Sequence, residues 1–209
     1  MAADTYSDND STDTRRAFPD GPWADAEGFD VDRAFETLAS APRRAVLGHL
    51  AAVEWEDVDA LVDRVAARLP ADRETLAVAL EHVHLPYLDA VGYVAYDHPW
   101  VEYAAPRELD ALREAVENRS EAGSVSEDAL DVICGLLADP LRRGTLLALD
   151  RHGTLNVRDV AAHVAVDHPE LTADDVALRL HHIHLPRLAD AGAIEYDPET
   201  TLATPVLPE

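Results

Sequence analysis

The sequence predicts a mainly α fold with small β-hairpins, built as two tandem copies of one module. Three observations carry this expectation. First, Leu80–Asp97 (LEHVHLPYLDAVGYVAYD) and Leu180–Asp197 (LHHIHLPRLADAGAIEYD) are identical at nine of eighteen positions at an offset of 100. Upstream the offset becomes 99: Leu38–Arg44 (LASAPRR) matches Leu137–Arg143 (LADPLRR), and Val58 and Val65 match Val157 and Val164. Second, the apolar residues ahead of each string recur at spacings of three and four, the period of one helix face. Third, each string runs through a glycine into short β-type segments separated by turn residues, the pattern of a hairpin.

The first helix of each copy runs to Leu38 or Leu137 and is interrupted at Ser40-Ala41-Pro42 or Asp139-Pro140. Asp139 is placed to cap the restarted helix, with Pro140 in its first turn, where a missing N–H does no harm. Leu47 and Leu50, or Leu146 and Leu149, form the buried face. The next helix starts near Asp57 or Asn156 and buries Val58, Leu61, Val62 and Val65, or Val157, Val160, Ala161 and Val164. The third starts after Asp72 or Thr172; Thr172 to Asp175 reads as a capping box with Asp in place of Glu or Gln. It kinks at Pro86 or Pro186 and ends at Gly92 or Gly192, since glycine accepts the positive φ of a helix stop. Residues 93–96 and 101–103, or 193–196 and 201–204, then form the hairpin.

The modules span 30–104 and 126–205. Residues 1–29 lack periodicity and are expected to be a disordered acidic tail, with Trp23 and Phe29 either packing on the first module or forming a short interaction motif. Between the modules, 105–125 is a helical linker: Pro106 opens a helix whose Leu109, Leu112 and Val116 share a face, and Glu121-Ala122-Gly123-Ser124 breaks it. That helix packs on a module or pairs with its copy in a dimer.

The 209 residues include 41 Asp and Glu against 17 basic residues, a net charge of −24, and every one of the 17 is arginine. Such a surface suits molar salt, where a Debye length of ~3 Å screens self-repulsion. The composition thus points to the cytoplasm of a halophile, and it weakens net charge as a guide to partners. No apolar run approaches the roughly 20 residues of a membrane span, and the acidic N-terminus lacks the apolar core of a secretory signal. The single cysteine, Cys134, excludes multi-thiolate metal sites and an internal disulfide.

Three helices followed by a two-stranded ribbon is the layout of a winged helix, a form of helix-turn-helix. The H-L-P-x-L-x-x-x-G-x-[VI]-x-Y-D string at 84–97 and 184–197 resembles the end of the third helix and the start of the wing in a winged-helix family of uncharacterised function abundant in halophilic archaea. It is more distantly similar to the H-L-x-x-L-x-x-x-G-x-[VI] string of ArsR- and MarR-type regulators. The resemblance covers both modules and implies a DNA-binding transcription regulator.

On the third helix, positions 74, 78 and 82 are expected to face outward: Glu74, Val78 and His82, and in the second copy Asp174, Leu178 and His182. The candidate nucleic-acid contacts are Arg43, Arg44, Arg142, Arg143, Arg179, His182 and Arg187, and the wings hold no arginine. Acidic and apolar residues on a reading helix suit duplex DNA poorly, because phosphate and base contacts draw on Arg, Lys, Asn and Gln. The alternative is a winged helix that binds protein, through Val78 and Leu178. The repeated Arg-Arg pairs read either as phosphate clamps or as surface ion pairs; two cations at a helix start oppose the helix dipole and so require a partner. His181, His182 and His184 have helical spacing but no third ligand in reach, so a partly buried histidine bonded to the wing is the expectation, with no metal and no cofactor. No phosphate loop or nucleophile motif is present, so no enzyme is expected. The partners considered are double-stranded DNA, and a protein or second copy of the chain; none is a membrane.

Overall fold

The computed structural model describes residues 27–121 and 125–206. The expected acidic tail with Trp23 lies almost wholly outside them, as does the Ala122–Ser124 part of the linker break. Phe29 is described and packs against the first core.

The first module runs α1 (Val31–Leu38), α2 (Ala41–Val53), β1 (Trp55–Asp57) and α3 (Val58–Ala66). Its long third helix follows as α4 (Arg73–Ala79), a π-helical turn (Leu80–His84) and α5 (Leu85–Ala90), and then come β2 (Val94–Asp97) and β3 (Trp100–Tyr103). After α6 (Arg107–Glu121) the order repeats: α7 (Glu127–Leu137), α8 (Pro140–His152), β4 (Leu155–Asn156), α9 (Val157–Val164), α10 (Ala173–Arg179), a second π turn (Leu180–His184), α11 (Leu185–Asp190), β5 (Ile194–Asp197) and β6 (Leu202–Pro205). The chain is mainly helical, with two small antiparallel sheets of order β1-β3-β2 and β4-β6-β5. Each expected hairpin is therefore part of a three-stranded sheet. The added strands, β1 and β4, are three and two residues long, too short to show alternation in the sequence.

Side chains at the helix starts explain why the chain breaks where it does. Asp57 accepts from the N–H groups of Asp59 and Ala60, and Asn156 from those of Arg158 and Asp159. Asp139 caps α8 through the Arg142 N–H at 3.0 Å, and Thr172 and Asp175 form the expected capping box. The long third helix ends identically in both copies. Tyr93 N–H donates to Leu88 O and Gly92 N–H to Asp89 O; Ala193 and Gly192 repeat the pattern onto Leu188 and Ala189. These are the paired bonds of a Schellman stop, made possible by φ of +76° at Gly92 and +71° at Gly192.

The kink expected at Pro86 and Pro186 is a π turn. Proline donates no hydrogen bond and its ring crowds the carbonyl four residues back. The helix widens for one turn just before it, so that Leu85 N–H reaches Leu80 O and Leu185 N–H reaches Leu180 O.

Leu85, Leu88, Leu185 and Leu188 are fully buried, as expected of core residues. The first core also takes in Leu109, Leu112 and Val116 of α6, which settles the linker helix against the first module. Leu130, Cys134 and Leu137 of α7 join that same core, so the first helix of the second copy packs on the first copy.

Candidate functional site: the joint and the third-helix faces

The repeated arginine pairs sit where α2 and α8 begin, and they reach backwards. Arg43 Nη2 donates to Glu36 O at 2.8 Å and Arg44 Nη1 to Leu38 O at 2.5 Å. In the second copy Arg142 donates to Leu136 O at 2.6 Å and Gly135 O at 2.8 Å, and Arg143 to Leu137 O at 2.5 Å. Each pair thus caps the C-terminus of the preceding helix, where cations are favourable, and this offsets their awkward position at the start of the next.

Two of the four arginines also join the modules. Arg44 is buried and binds Asp131 Oδ1 at 2.5 Å and Glu127 Oε2 at 2.7 Å on α7. Arg143 binds Asp32 on α1. Asp32 and Asp131 are equivalent at the offset of 99, as are Arg44 and Arg143. Residue i of the first copy therefore meets j of the second, and j of the first meets i of the second. That reciprocity is the signature of a two-fold interface, here built within one chain. Burial works against the Arg44 charge, but the bonds it donates to Glu127 and Asp131 outweigh that and hold the guanidinium above its ordinary pKa. Burial lowers the pKa of Arg43 and Arg142. The Arg43 guanidinium lies 4.4 Å from the centre of the Tyr87 ring.

The pairs thus combine helix capping with ion pairs to neighbouring helices and do not form an open cationic strip. Arg43, Arg44, Arg142 and Arg143 all spend donors inside the chain, and Arg44 and Arg142 are buried. The remaining candidates, Arg179, His182 and Arg187, are each exposed on the third helix of the second copy.

On the third helices the exposed residues include Glu74, Val78 and His82, and Asp174, Leu178 and His182. The sequence reading missed one further pair. Val83 and Ile183 are equivalent and, with Val78 and Leu178, are 57–61% exposed. The signal was an apolar residue between two histidines, off the buried stripe of Leu76, Leu80, Leu85 and Leu88.

The histidine bonded to the sheet is His181, whose Nδ1 lies 2.5 Å from the hydroxyl of Tyr196 on β5. His184 is buried, with Nδ1 3.6 Å from Asp139 Oδ1. Burial first, then Arg142, Arg179 and Arg187, lowers its pKa despite Asp139; burial and Arg43 do the same to His84. Among the described residues no three His, Cys, Asp or Glu converge as metal ligands, and no helix is long and apolar enough to cross a membrane.

No curated protein and no solved structure matches the chain. A domain family matches it twice, over residues 35–102 and 134–204, the same two segments that the fold repeats. The chain belongs to that family, the domain of unknown function DUF7344.

Proposed function

We propose that the chain is a tandem winged-helix pseudo-dimer that works by docking a protein partner on the exposed faces of its third helices. One observation carries this reading. The helix that would enter a DNA groove presents apolar Val78 and Val83, and in the second copy Leu178 and Ile183, more than half exposed at equivalent positions. Glu74 and Asp174 stand on the same exposed stretches and repel phosphate. The arginines best placed by repetition to bind phosphate cap helices and join the modules instead.

A second reading, a transcription regulator bound to duplex DNA, has its own support. Winged helices place their third helix in the major groove, and a two-fold protein suits a two-fold site. The strings at 84–97 and 184–197 resemble those of ArsR- and MarR-type regulators and of the halophile winged-helix family. Arg179, His182 and Arg187 would then make the second copy the principal reader.

Fluorescence anisotropy with genomic duplex fragments in molar KCl separates the two, because counterion release contributes little there. The docking reading expects no sequence-selective binding, and a purified partner complex that Leu178→Asp abolishes. Selective DNA binding that Arg179→Ala with Arg187→Ala weakens, and Leu178→Asp leaves intact, overturns it.

The acidic, lysine-free composition fits a halophile's cytoplasm. Circular dichroism over a KCl series should show loss of native signal at low salt, since repulsion within a charge of −24 is then unscreened. An unchanged melting temperature at 50 mM salt rejects this origin.

A further inference from the structure

We propose that the open face of the first module's sheet is a binding site for an arginine side chain presented by a protein partner. Trp55 and Trp100 stand there edge to face, with ring centres 5.3 Å apart, and they are 58% and 50% exposed. With Tyr96 they line an open groove of about 460 Å³ whose other walls include Asp89, Asp97 and Glu102. Among the described residues no basic side chain lines it. Tyr96 N–H donates to Asp89 Oδ1 at 3.0 Å, which fixes that carboxylate at the groove wall.

Two large indoles left open to water are costly unless something covers them. An uncharged apolar partner would bury the carboxylates beside the rings unpaired, and a nucleic acid would bring phosphate against them. A cation satisfies both features, since aromatic faces attract positive charge and carboxylates pair with it. A guanidinium fits best, because its plane stacks on an indole while its N–H fork engages a carboxylate.

The second module provides a control within the same chain. By sheet register its equivalents of Trp55, Trp100 and Glu102 are Thr154, Leu202 and Thr204, and Ala189 replaces Asp89. There Thr154 Oγ1 donates to Thr204 Oγ1 at 3.0 Å, and that side of the sheet carries no aromatic pair. The site lies on the sheet and does not depend on the third-helix reading above.

The test uses the full chain in molar KCl, titrated with a blocked glycine-arginine-glycine peptide and followed by isothermal titration calorimetry, a readout that does not depend on the indoles. The site predicts a saturable change that Trp55→Thr with Trp100→Leu abolishes while far-UV circular dichroism is kept. Asp89→Asn with Glu102→Gln provides a second variant that leaves the rings in place and should weaken binding. Replacing arginine by neutral citrulline should weaken binding about tenfold. Equal affinity for the citrulline peptide, tighter binding of tetramethylammonium than of the arginine peptide, or no saturable change in the native protein each overturns the proposal.

Discussion

Where the first module stacks Arg43 over Tyr87, the second sets Arg142, whose pKa burial lowers, near the like charge of Arg187. Where the first leaves Trp55 and Trp100 open, the second closes Thr154 on Thr204. Yet the two copies share their Schellman stops, their π turns and the backward reach of their arginine pairs. Duplication has kept what ends and joins helices and has varied what meets solvent. The first copy has become aromatic and acidic on its sheet, and the second basic along its third helix. The chain therefore presents two different faces on one repeated frame.

The shared frame should fail equally in both copies. Leu85 and Leu185 are fully buried at the same place after the π turn. Leu85→Ala and Leu185→Ala should each cost about 2–5 kcal/mol, the range of a leucine deletion that leaves a cavity. Urea unfolding in molar KCl measures both. A cost below about 1 kcal/mol in one copy would show that its string has left the core and become an interface.

The joint is reciprocal in residues but unequal in burial. Arg44 has 3% of its side chain exposed and two carboxylate partners, while Arg143 has 16% and one. The partners of Arg44 are themselves 37–45% exposed, so water recovers part of what its loss releases. Arg44→Ala should then cost about 2–3 kcal/mol, below the full range for a broken buried pair, and Arg143→Ala about 1 kcal/mol. Double-mutant cycles with Asp131→Ala and Asp32→Ala isolate the two couplings. Equal couplings would mean that the joint is as symmetric in energy as in sequence.

A smaller contrast lies between α2 and β1. Glu54 holds φ of +69°, and its equivalent, Gly153, holds +74°. A residue with a Cβ is strained at positive φ, whereas glycine is not. Gly153 also has ψ of −147°, a region essentially reserved for glycine, so Gly153→Ala should cost about 1–3 kcal/mol through the backbone alone, because an added Cβ there meets nothing within 4 Å. Glu54→Gly should be neutral or stabilise by up to about 1 kcal/mol. Thermal melts of the two variants check this, and destabilisation by Glu54→Gly would reveal a role for its side chain.

The repeat makes the frame legible in the sequence, because caps, prolines and glycines act locally. Asp139, Thr172 with Asp175, and Gly92 with Gly192 each do what their residue type dictates in a helix end. β1 and β4 were not legible, since strands of three and two residues exist only through pairing with β3 and β6. The arginine pairs were legible as needing a partner, because their place at a helix start is unfavourable. That the partners are the preceding helix's carbonyls, and Asp131 and Asp32 across the joint, is tertiary information. Val83 and Ile183 escaped notice because a π turn changes which residues face out, and periodicity assumes a regular helix.

The gentlest comparison is by titration of the equivalent histidines. Burial lowers the pKa of both His84 and His184 below 6.5, so in the folded chain they stay neutral where the unfolded chain begins to take up protons. Because the unfolded state then binds more protons, stability is full above about pH 6.5 and declines as pH falls toward the folded pKa values. Glu117 opposes this: burial raises its pKa, so its contribution favours the folded state at lower pH and is lost as pH rises. The histidine part is isolated by His84→Asn with His184→Asn, which should lose less stability than the native chain between pH 7.5 and 5.5. The two sites also differ in one neighbour. Asp139 lies beside His184 and raises its pKa, while the causes acting on His84 are burial and Arg43. Asp139→Asn keeps the cap on α8, since asparagine caps as well as aspartate. It should move the His184 midpoint further down and leave that of His84 in place, as followed by NMR. Equal movement of both, or of neither, would mean that Asp139 does not distinguish the two copies.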